Sequence, residues 1–260
     1  MKISIVIPSY NQESYIEECV LSIWNSNFSS IEVICVDGGS TDGTLEKIED
    51  LNRQGYVSKI LYGPDEGQAD ALNKGFNYAT GDYIGWINSD DFYMNKCLEK
   101  VNNAIMKSKA DLIFGGIIVV DNGGRRINQY FPTSRDGQYS CCVALDLHQQ
   151  AMFMTKSAYL KCGPFNTQYQ FSMDYDYIIR LLNLYKPFLI EDYLGAFRHQ
   201  PNSKTSNISH VGKLENDVIR NSHCVKCKKI KRLYLRLKRV FIIIYKTGLS
   251  YFIVKFRSRL

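Results

Sequence analysis

Strand-length apolar runs alternate with amphipathic helical segments through the first 110 residues of this 260-residue chain. Such alternation predicts βαβ units, in which parallel strands form a sheet covered by helices on both faces. Ligands of such sheets bind at the carboxyl ends of the strands. We therefore predict an α/β, Rossmann-like fold with strands over residues 3–7, 31–36, Lys59–Tyr62 and 83–87 and helices over 13–25, 41–51 and Gln68–Tyr78.

The second half of the chain has a mixed pattern. Helices are predicted over 95–107 and Met173–Leu184, and strands over Leu112–Val120, 126–131, Met152–Thr155 and 188–191. Because these short strands lack a regular crossover pattern, we expect them to extend the first sheet instead of forming a separate domain. The predicted organisation is one domain over residues 1–205, with halves 1–110 and 111–205, followed by a tail over 206–260.

Charge is distributed unevenly along the chain. All 26 acidic residues lie within residues 1–217 together with 19 of the 32 basic ones, so this part carries a net charge of −7. The remaining segment contains thirteen Lys and Arg and no acidic residue. A basic segment on an acidic body predicts a polyanionic partner, either nucleic acid or an anionic membrane surface.

Apolar runs within the tail favour the membrane. Residues 240–245 and 249–254 are apolar, but Lys246 lies between them and each run is too short to span a bilayer. An interfacial amphipathic helix with Lys and Arg at the lipid headgroups is the interpretation we favour. A helix packed on the acidic body is the alternative. The tail shows no recognition motif for nucleic acid, so no nucleic-acid partner is expected.

Eight cysteines are scattered along the chain, and its first residues form a predicted strand instead of a secretory signal. Scattered cysteines without such a signal are typical of free thiols in a reducing cytosol. Together with the tail, these features predict a cytoplasmic protein bound peripherally to the inner face of the cell membrane.

Two adjacent carboxylates, Asp90 and Asp91, follow the fourth predicted strand in the run Asn88-Ser89-Asp90-Asp91. Neighbouring carboxylates at a strand end repel each other unless a cation lies between them. A divalent metal at a strand end in turn points to a diphosphate ligand. Capping of the following helix is the alternative role, but it accounts for only one of the two acids.

Polar loops follow the other three strands, at residues 8–11, 37–43 and 63–70, and the last two of these loops contain glycines. In the second loop, glycines allow close approach of the backbone to a ligand, and Asp37 can accept hydrogen bonds from a base or a ribose. Each loop alone is equally compatible with an ordinary turn or a capped helix start.

Together these loops resemble the inverting family 2 glycosyltransferases of the GT-A fold, in particular those of bacterial surface-polysaccharide synthesis. The resemblance covers roughly residues 1–200 and rests on motifs in the right order, at 3–11, 36–44, 65–76, 81–91, 162–166 and 173–181. It implies a GT-A domain with a donor-binding half over 1–110 and an acceptor half over 111–205, followed by the basic, helical tail.

The resemblance also implies roles for individual residues. Asp90 and Asp91, with His199, would hold Mg²⁺ or Mn²⁺ against the diphosphate of a nucleotide-sugar donor. Two positions depart from the family pattern, because Asn88 replaces a leading acid and Gly38 replaces an Asp that contacts the pyrimidine. The residues expected to bind the nucleotide sugar are Pro8, Tyr10, Asn11, Asp37, Gly39, Gln68, Asp70, Asn73, Lys74, Asn88, Ser89 and Asp90.

Asp174 occupies the position of the family's catalytic base, which takes the proton of the acceptor hydroxyl during direct displacement. Asp176 is the alternative base, and helix capping is a possible role for both. The segment 197–205 resembles a mobile loop of the family from which an Arg, a His and a Ser or Lys approach the diphosphate. Residues 148–150 (His-Gln-Gln) either line the acceptor cleft or serve a structural role.

The predicted activity is transfer of a sugar from a nucleotide-diphosphate sugar to a hydroxyl of a saccharide acceptor, which we expect to be lipid-linked. One alternative is a sugar-nucleotide pyrophosphorylase-like transferase, although the first loop lacks the glycines and basic residues that such an enzyme is expected to have. The other is a donor-binding scaffold without catalysis, an idea motivated by Asn88 and Gly38.

Overall fold

The computed structural model describes residues 1–133, 146–200, 209–223, 233–238 and 240–241. A 3₁₀ turn occupies Gln149–Ala151. The strands are β1 (Ile3–Ser9), β2 (Ile31–Asp37), β3 (Lys59–Tyr62), β4 (Tyr83–Trp86), β5 (Phe92–Tyr93), β6 (Leu112–Val120), β7 (Arg126–Tyr130), β8 (Met152–Thr155) and β9 (Phe188–Arg198). The helices are α1 (Ile16–Ile23), α2 (Thr44–Arg53), α3 (Gln68–Tyr78), α4 (Cys97–Ser108), α5 (Lys156–Cys162), α6 (Met173–Leu184) and α7 (Ser209–His223).

The nine strands of the described residues form one sheet, in the order β3-β2-β1-β4-β8-β6-β9-β5, with β7 paired to β6. Strands β1 to β4 pair in parallel, and β8 is antiparallel to both of its neighbours, β4 and β6. The α/β prediction is therefore confirmed. The strand order reverses between β1 and β4, which is the point where such sheets bind ligands.

Helices cover the sheet on both faces because its central strands are apolar on both sides. All seven residues of β1 are buried. On one face Ile3, Ile5 and Ile7 pack with residues of α1, α2 and α4. On the other face Val6 packs with α3, α5 and α6. Helix α3 approaches β1 closely at Gly75, where a Cβ atom would lie 2.4 Å from Val6 Cγ1.

Strand β9 is longer than the sequence pattern indicates. It runs for eleven residues, whereas apolarity predicts a strand only over 188–191. The polar residues Glu191 and Asp192 interrupt the apolar pattern, but pairing continues through β6 and β5. The extension carries the end of β9, at Arg198, to the end of β4.

Helix α7 packs against α6, although its sequence lies in the segment assigned to the tail. Ile219 is fully buried in a cluster with Tyr175 and Ile179. The helix comes close because Gly212 has no side chain, and a Cβ atom there would lie 2.3 Å from the Phe171 ring. Within the described ranges, no helix is both long and apolar enough to cross a bilayer.

Candidate active site

Asp91 lies at the carboxyl end of β4 with both carboxylate oxygens bonded to the protein. Its side chain is 1% exposed. Oδ1 accepts a hydrogen bond from the backbone N–H of Arg198 at 2.9 Å, and Oδ2 accepts one from Gln150 Nε2 at 2.9 Å. Asp91 therefore ties the end of β9 and the 3₁₀ turn to the end of β4.

Asp90 is half-buried beside Asp91, and its Oδ2 accepts a hydrogen bond from Gln200 Nε2 at 2.6 Å. Burial raises the pKa of Asp90, and this effect outweighs the hydrogen bond from Gln200 and the charge of Arg198. Burial and the neighbouring charge of Asp90 raise the pKa of Asp91 well above its usual range. Two carboxylates that resist ionisation side by side form a site that a divalent cation stabilises.

The side chains present fit a divalent cation whose remaining ligands come from a bound substrate and from water. Among the described residues, no three His, Cys, Asp or Glu side chains cluster to hold a metal on their own. Mg²⁺ is commonly bound by one or two carboxylates together with substrate phosphates and water. Asp90 and Asp91 fit that arrangement, with Asp90 the more accessible ligand. His199, expected at the same metal, has an exposed imidazole, and its backbone N–H bonds Val120 O at 2.8 Å.

Arg198 contacts the acid pair from the interior of the protein. Its side chain is 3% exposed, and its Nε, Nη1 and Nη2 donate to Asp90 O, Asn122 O and Glu18 Oε2 at 3.0, 3.0 and 2.5 Å. In this structure the guanidinium is bonded to the protein instead of lying open to a diphosphate, and Ser203 and Lys204 of the same segment lie outside the described residues. Arg198 instead fixes the backbone of Asp90.

Several residues predicted to bind the donor lie together at the strand ends. Gln68 Nε2, at the start of α3, donates to Asn88 Oδ1 at 2.6 Å. The loops after β1 and β2 are joined where Asn11 N donates to Ser40 Oγ at 2.9 Å. Ser89 and Pro8 are buried, and Tyr10 is exposed.

Asp37 shapes its own loop. Oδ1 accepts hydrogen bonds from Gly39 N and Ser40 N at 3.1 and 2.7 Å, and Oδ2 accepts one from Ser40 Oγ at 2.7 Å. The neighbouring Gly38 lies under Asp65, since a Cβ atom on Gly38 would be 2.5 Å from Asp65 Oδ2. A carboxylate from the loop after β3 thus occupies the space beside the position where the family pattern has a second Asp.

Three predicted donor residues on α3 make contacts within the protein. Asn73 donates to Phe165 O at 3.0 Å and accepts from Phe165 N at 2.8 Å, which attaches α3 to the loop before α6. Lys74 Nζ lies 2.9 Å from Asp70 Oδ2, and this hydrogen bond lowers the pKa of Asp70. Lys74 also donates to Pro64 O at 3.2 Å.

The two acids at the start of α6 have different environments. Asp176 is 2% exposed, and its two oxygens lie 2.8 Å from Arg180 Nε and 3.2 Å from His223 Nε2. Asp174 is half-buried, and its Oδ1 accepts from Tyr175 N at 2.7 Å. Asp176 is therefore buried in contacts with Arg180 and His223, whereas Asp174 is the more exposed of the two acids.

Glu215 of α7 caps the segment that leads into α6. Its carboxylate accepts hydrogen bonds from the backbone N–H groups of Gln170, Phe171 and Ser172 at 2.8, 3.0 and 2.7 Å. Sequence reasoning missed this contact, and although it singled out the segments that contain Gln150 and Gln200, it missed their bonds to the acid pair. No local pattern marks such residues, because each meets its partner across at least 43 positions of the chain.

The mixed sheet and the acids at its reversal point define a protein of the GT-A type. The model of the family described as "Glycosyl transferase family 2" matches residues 4–172. The chain belongs to this family, as the sequence predicts. Membership decides against the pyrophosphorylase-like alternative.

Similarity to known proteins extends over most of the chain. The chain is 30% identical to chondroitin synthase of Pasteurella multocida over a region that covers 76% of this chain and 19% of that protein. An uncharacterized glycosyltransferase of Haemophilus influenzae is 36% identical over 48% of the chain and 50% of that protein. The chain thus spans half or less of these two relatives. A PGL/p-HBAD biosynthesis glycosyltransferase of Mycobacterium bovis is 26% identical over 92% of the chain and 89% of its own length.

Two solved structures share the fold. S. aureus TarS 1-349 in complex with UDP-GlcNAc superposes with a TM-score of 0.67 at 17% identity, covering 94% of this chain and 73% of that one. The mannosyltransferase PcManGT of Pyrobaculum calidifontis, in complex with GDP-Man and Mn²⁺, gives a TM-score of 0.60 at 17% identity over 94% and 70% of the two chains.

Proposed function

We propose that this protein is a metal-dependent, inverting glycosyltransferase that moves a sugar from a nucleotide-diphosphate sugar to a saccharide hydroxyl. The observation that carries the proposal is the Asp90–Asp91 pair at the carboxyl end of β4. Both carboxylates have raised pKa values there and lie at the reversal point of the sheet. Binding of a diphosphate through a divalent cation offsets the cost of ionising both acids.

Asp90 and Asp91 would hold Mg²⁺ or Mn²⁺, and a bound cation supplies charge neutralisation for the departing nucleoside diphosphate. The strands β1, β2 and β3 lie successively beside β4, so their end loops are placed to contact the nucleoside. The complexes of TarS with UDP-GlcNAc and of PcManGT with GDP-Man and Mn²⁺ support a donor of this class.

Asp174 is the proposed base. Its carboxylate takes the proton from the acceptor hydroxyl while that oxygen forms a bond to the anomeric carbon. The bond between that carbon and the diphosphate oxygen breaks with its electron pair leaving on the diphosphate. Attack from the side opposite the leaving group inverts the anomeric configuration. The buried contacts of the Asp176 carboxylate with Arg180 and His223 support Asp174 over Asp176 in this role.

The proposed acceptor is a lipid-linked saccharide at the cytoplasmic face of the membrane. In the tail, Leu233, Leu237 and Phe241 are exposed and spaced four residues apart, with Arg236 and Lys238 nearby. An exposed apolar face with basic neighbours is the composition of a helix that lies in an anionic lipid surface. This supports peripheral attachment of the protein.

The direct test of function is the stereochemistry of donor cleavage. The protein is incubated with Mn²⁺ and with UDP-, dTDP- and GDP-sugars, and we expect slow hydrolysis of one of these donors. Proton NMR then follows the anomeric configuration of the released sugar. We expect the first sugar detected to have the opposite anomeric configuration to the donor. Retention would contradict the direct displacement, and donor binding without any cleavage or transfer would favour the scaffold alternative.

The membrane proposal is tested separately by co-sedimentation with phosphatidylglycerol-containing vesicles. A variant with Leu237→Glu and Phe241→Glu should lose most of the bound fraction. Leu160→Glu is a matched control, since Leu160 is also an exposed apolar residue but lies on α5. Equal binding of the tail variant and the control would contradict attachment through the tail.

A further inference from the structure

We propose that the side-chain amide of Gln149 is a binding site for a sugar hydroxyl in the transfer site. Gln149 is 4% exposed, and neither Oε1 nor Nε2 has a hydrogen-bond partner among the described residues. The inference rests on the proposed glycosyltransferase function and assigns it one further contact. Gln149 lies outside the predicted donor and metal residues.

The placement of Gln149 brings it to the acid pair. It begins the 3₁₀ turn Gln149–Ala151, whose next residue, Gln150, donates to Asp91 Oδ2 at 2.9 Å. The turn lies directly against β9, since a Cβ atom on Gly195 would be 2.4 Å from Gln150 O. Gln149 is therefore one residue from a direct contact to the proposed metal site.

The residues on either side of Gln149 have their own partners. The ring of His148 lies 5.1 Å from that of Tyr130, and Gln150 reaches Asp91. Successive side chains on a 3₁₀ helix leave the axis about 120° apart. The amide of Gln149 therefore points in a different direction from the side chain of Gln150, which contacts Asp91.

A buried amide with two unbonded polar atoms is costly to the folded protein. Desolvation of a donor or an acceptor without a new partner opposes folding, and buried polar atoms in native proteins are nearly always bonded. An apolar side chain of similar size at this position would avoid that cost. The presence of an amide here, next in the chain to the residue that contacts Asp91, is explained if a substrate supplies the missing partners.

The chemistry of the amide selects the ligand. Gln149 offers one acceptor and one donor group, and a hydroxyl both donates and accepts hydrogen bonds. A phosphate at neutral pH is mainly an acceptor and would leave Oε1 unbonded. Either the donor sugar or the acceptor saccharide can supply the hydroxyl, and the two sources give different results in the experiment below.

The experiment compares Gln149→Met and Gln149→Leu with wild type in the presence of Mn²⁺. Three quantities are measured: the melting temperature of the free protein, the Kd for the nucleoside diphosphate and for its sugar conjugate, and the rates of donor hydrolysis and transfer. The donor is taken from a panel of UDP-, dTDP- and GDP-sugars. Gln54→Met, at an exposed site after α2, is the matched control.

We expect both variants to melt at or above the wild-type temperature and to bind the nucleoside diphosphate normally. If the donor sugar supplies the hydroxyl, the Kd for the sugar conjugate rises at least fivefold relative to the Kd for the nucleoside diphosphate. If the acceptor supplies it, transfer falls at least fivefold while sugar affinity and hydrolysis are unchanged. Two results would overturn the assignment of Gln149 while leaving the proposed function intact. In one, sugar affinity and transfer are both unchanged. In the other, affinity for the nucleoside diphosphate falls as much as affinity for its sugar conjugate. Failure of the wild type to bind any nucleotide sugar would overturn the proposed function together with this assignment.

Discussion

The two acidic sites of this protein are fixed by different parts of the fold. Asp91 is held within the sheet, by the backbone of β9 and by the 3₁₀ turn before β8. Asp174 lies at the start of a helix, and the segment before it is held by Glu215 of α7. The proposed donor side therefore depends on strand pairing, whereas the proposed acceptor side depends on the packing of two helices.

The comparison also shows where the supporting residues lie in the chain. The family model ends at residue 172, yet Arg198, Gln200 and Glu215 all follow it. The strand-end motif thus depends on later segments that hold its geometry. We expect changes at the acids and at their supports to have effects of different kinds and sizes.

The largest effect is expected at the proposed base. Asp174→Asn keeps the shape of the side chain but removes its ability to take a proton, so kcat should fall about a thousandfold. The Kd for the nucleotide sugar should remain unchanged, because the proposed donor contacts lie at the strand ends. Asp176→Asn is the matched comparison. A larger loss of kcat in Asp176→Asn than in Asp174→Asn would reverse the assignment of the base.

Removal of Asp91 tests how firmly the sheet fixes the donor side. Asp91→Ala leaves the Arg198 N–H and the Gln150 amide without their acceptor, which should lower the free energy of unfolding by about 2 kcal/mol. The raised pKa means that folded wild type holds its proton more tightly, so its stability decreases as pH rises above the unfolded value of about 3.9. The difference in the free energy of unfolding between wild type and Asp91→Ala, measured by urea unfolding, should therefore be smaller at pH 7 than at pH 4.5. A difference that grows with pH would contradict the burial of this acid.

A smaller effect is expected from Glu215, which we infer positions Asp174 through the backbone. Glu215→Gln weakens three charge-assisted hydrogen bonds, and kcat should fall about tenfold, equivalent to about 1.4 kcal/mol. Donor Kd should not change, and the pH profile of kcat should shift because Asp174 is reoriented. Asp217→Asn, on the same helix with a side chain 74% exposed, is the control. Parallel changes in kcat and donor Kd would indicate a purely structural role.

The prediction with the smallest expected effect on catalysis concerns Glu32, at the opposite end of the sheet from the acid pair. Burial opposes ionisation of Glu32, but hydrogen bonds from Lys2, Ser4 and Thr80 outweigh it and lower its pKa to about 2. Because this value lies below that of the unfolded chain, about 4.3, the stabilisation is complete above about pH 5 and is lost as pH falls toward 2. Wild type should be more stable than Glu32→Gln at pH 6, and the difference should narrow near pH 3. A constant difference would show that ionisation of Glu32 is not its source.

Periodicity predicts the parts of the fold in which burial follows local sequence. The bounds of α3, α6, β6 and β8 agree with prediction because their apolar spacing is uninterrupted. Strand β9 was predicted too short because its middle is polar and its pairing partners are distant in sequence. The motif Asn88-Ser89-Asp90-Asp91 indicated the site, but the bond from Gln200 to Asp90 joins positions 110 residues apart. Contacts of this kind form only when the whole sheet has assembled.

The central claim is that the Asp90–Asp91 pair binds a nucleoside diphosphate through a divalent cation. Calorimetric titration of wild type and Asp90→Ala with UDP and GDP, with Mn²⁺ or with EDTA, tests it directly. We expect wild type to bind one of the two nucleotides at least a hundredfold more tightly with Mn²⁺ than with EDTA. Asp90→Ala should remain folded and lose that difference. Binding of equal strength in EDTA, or an unchanged Mn²⁺ effect in Asp90→Ala, would contradict the claim.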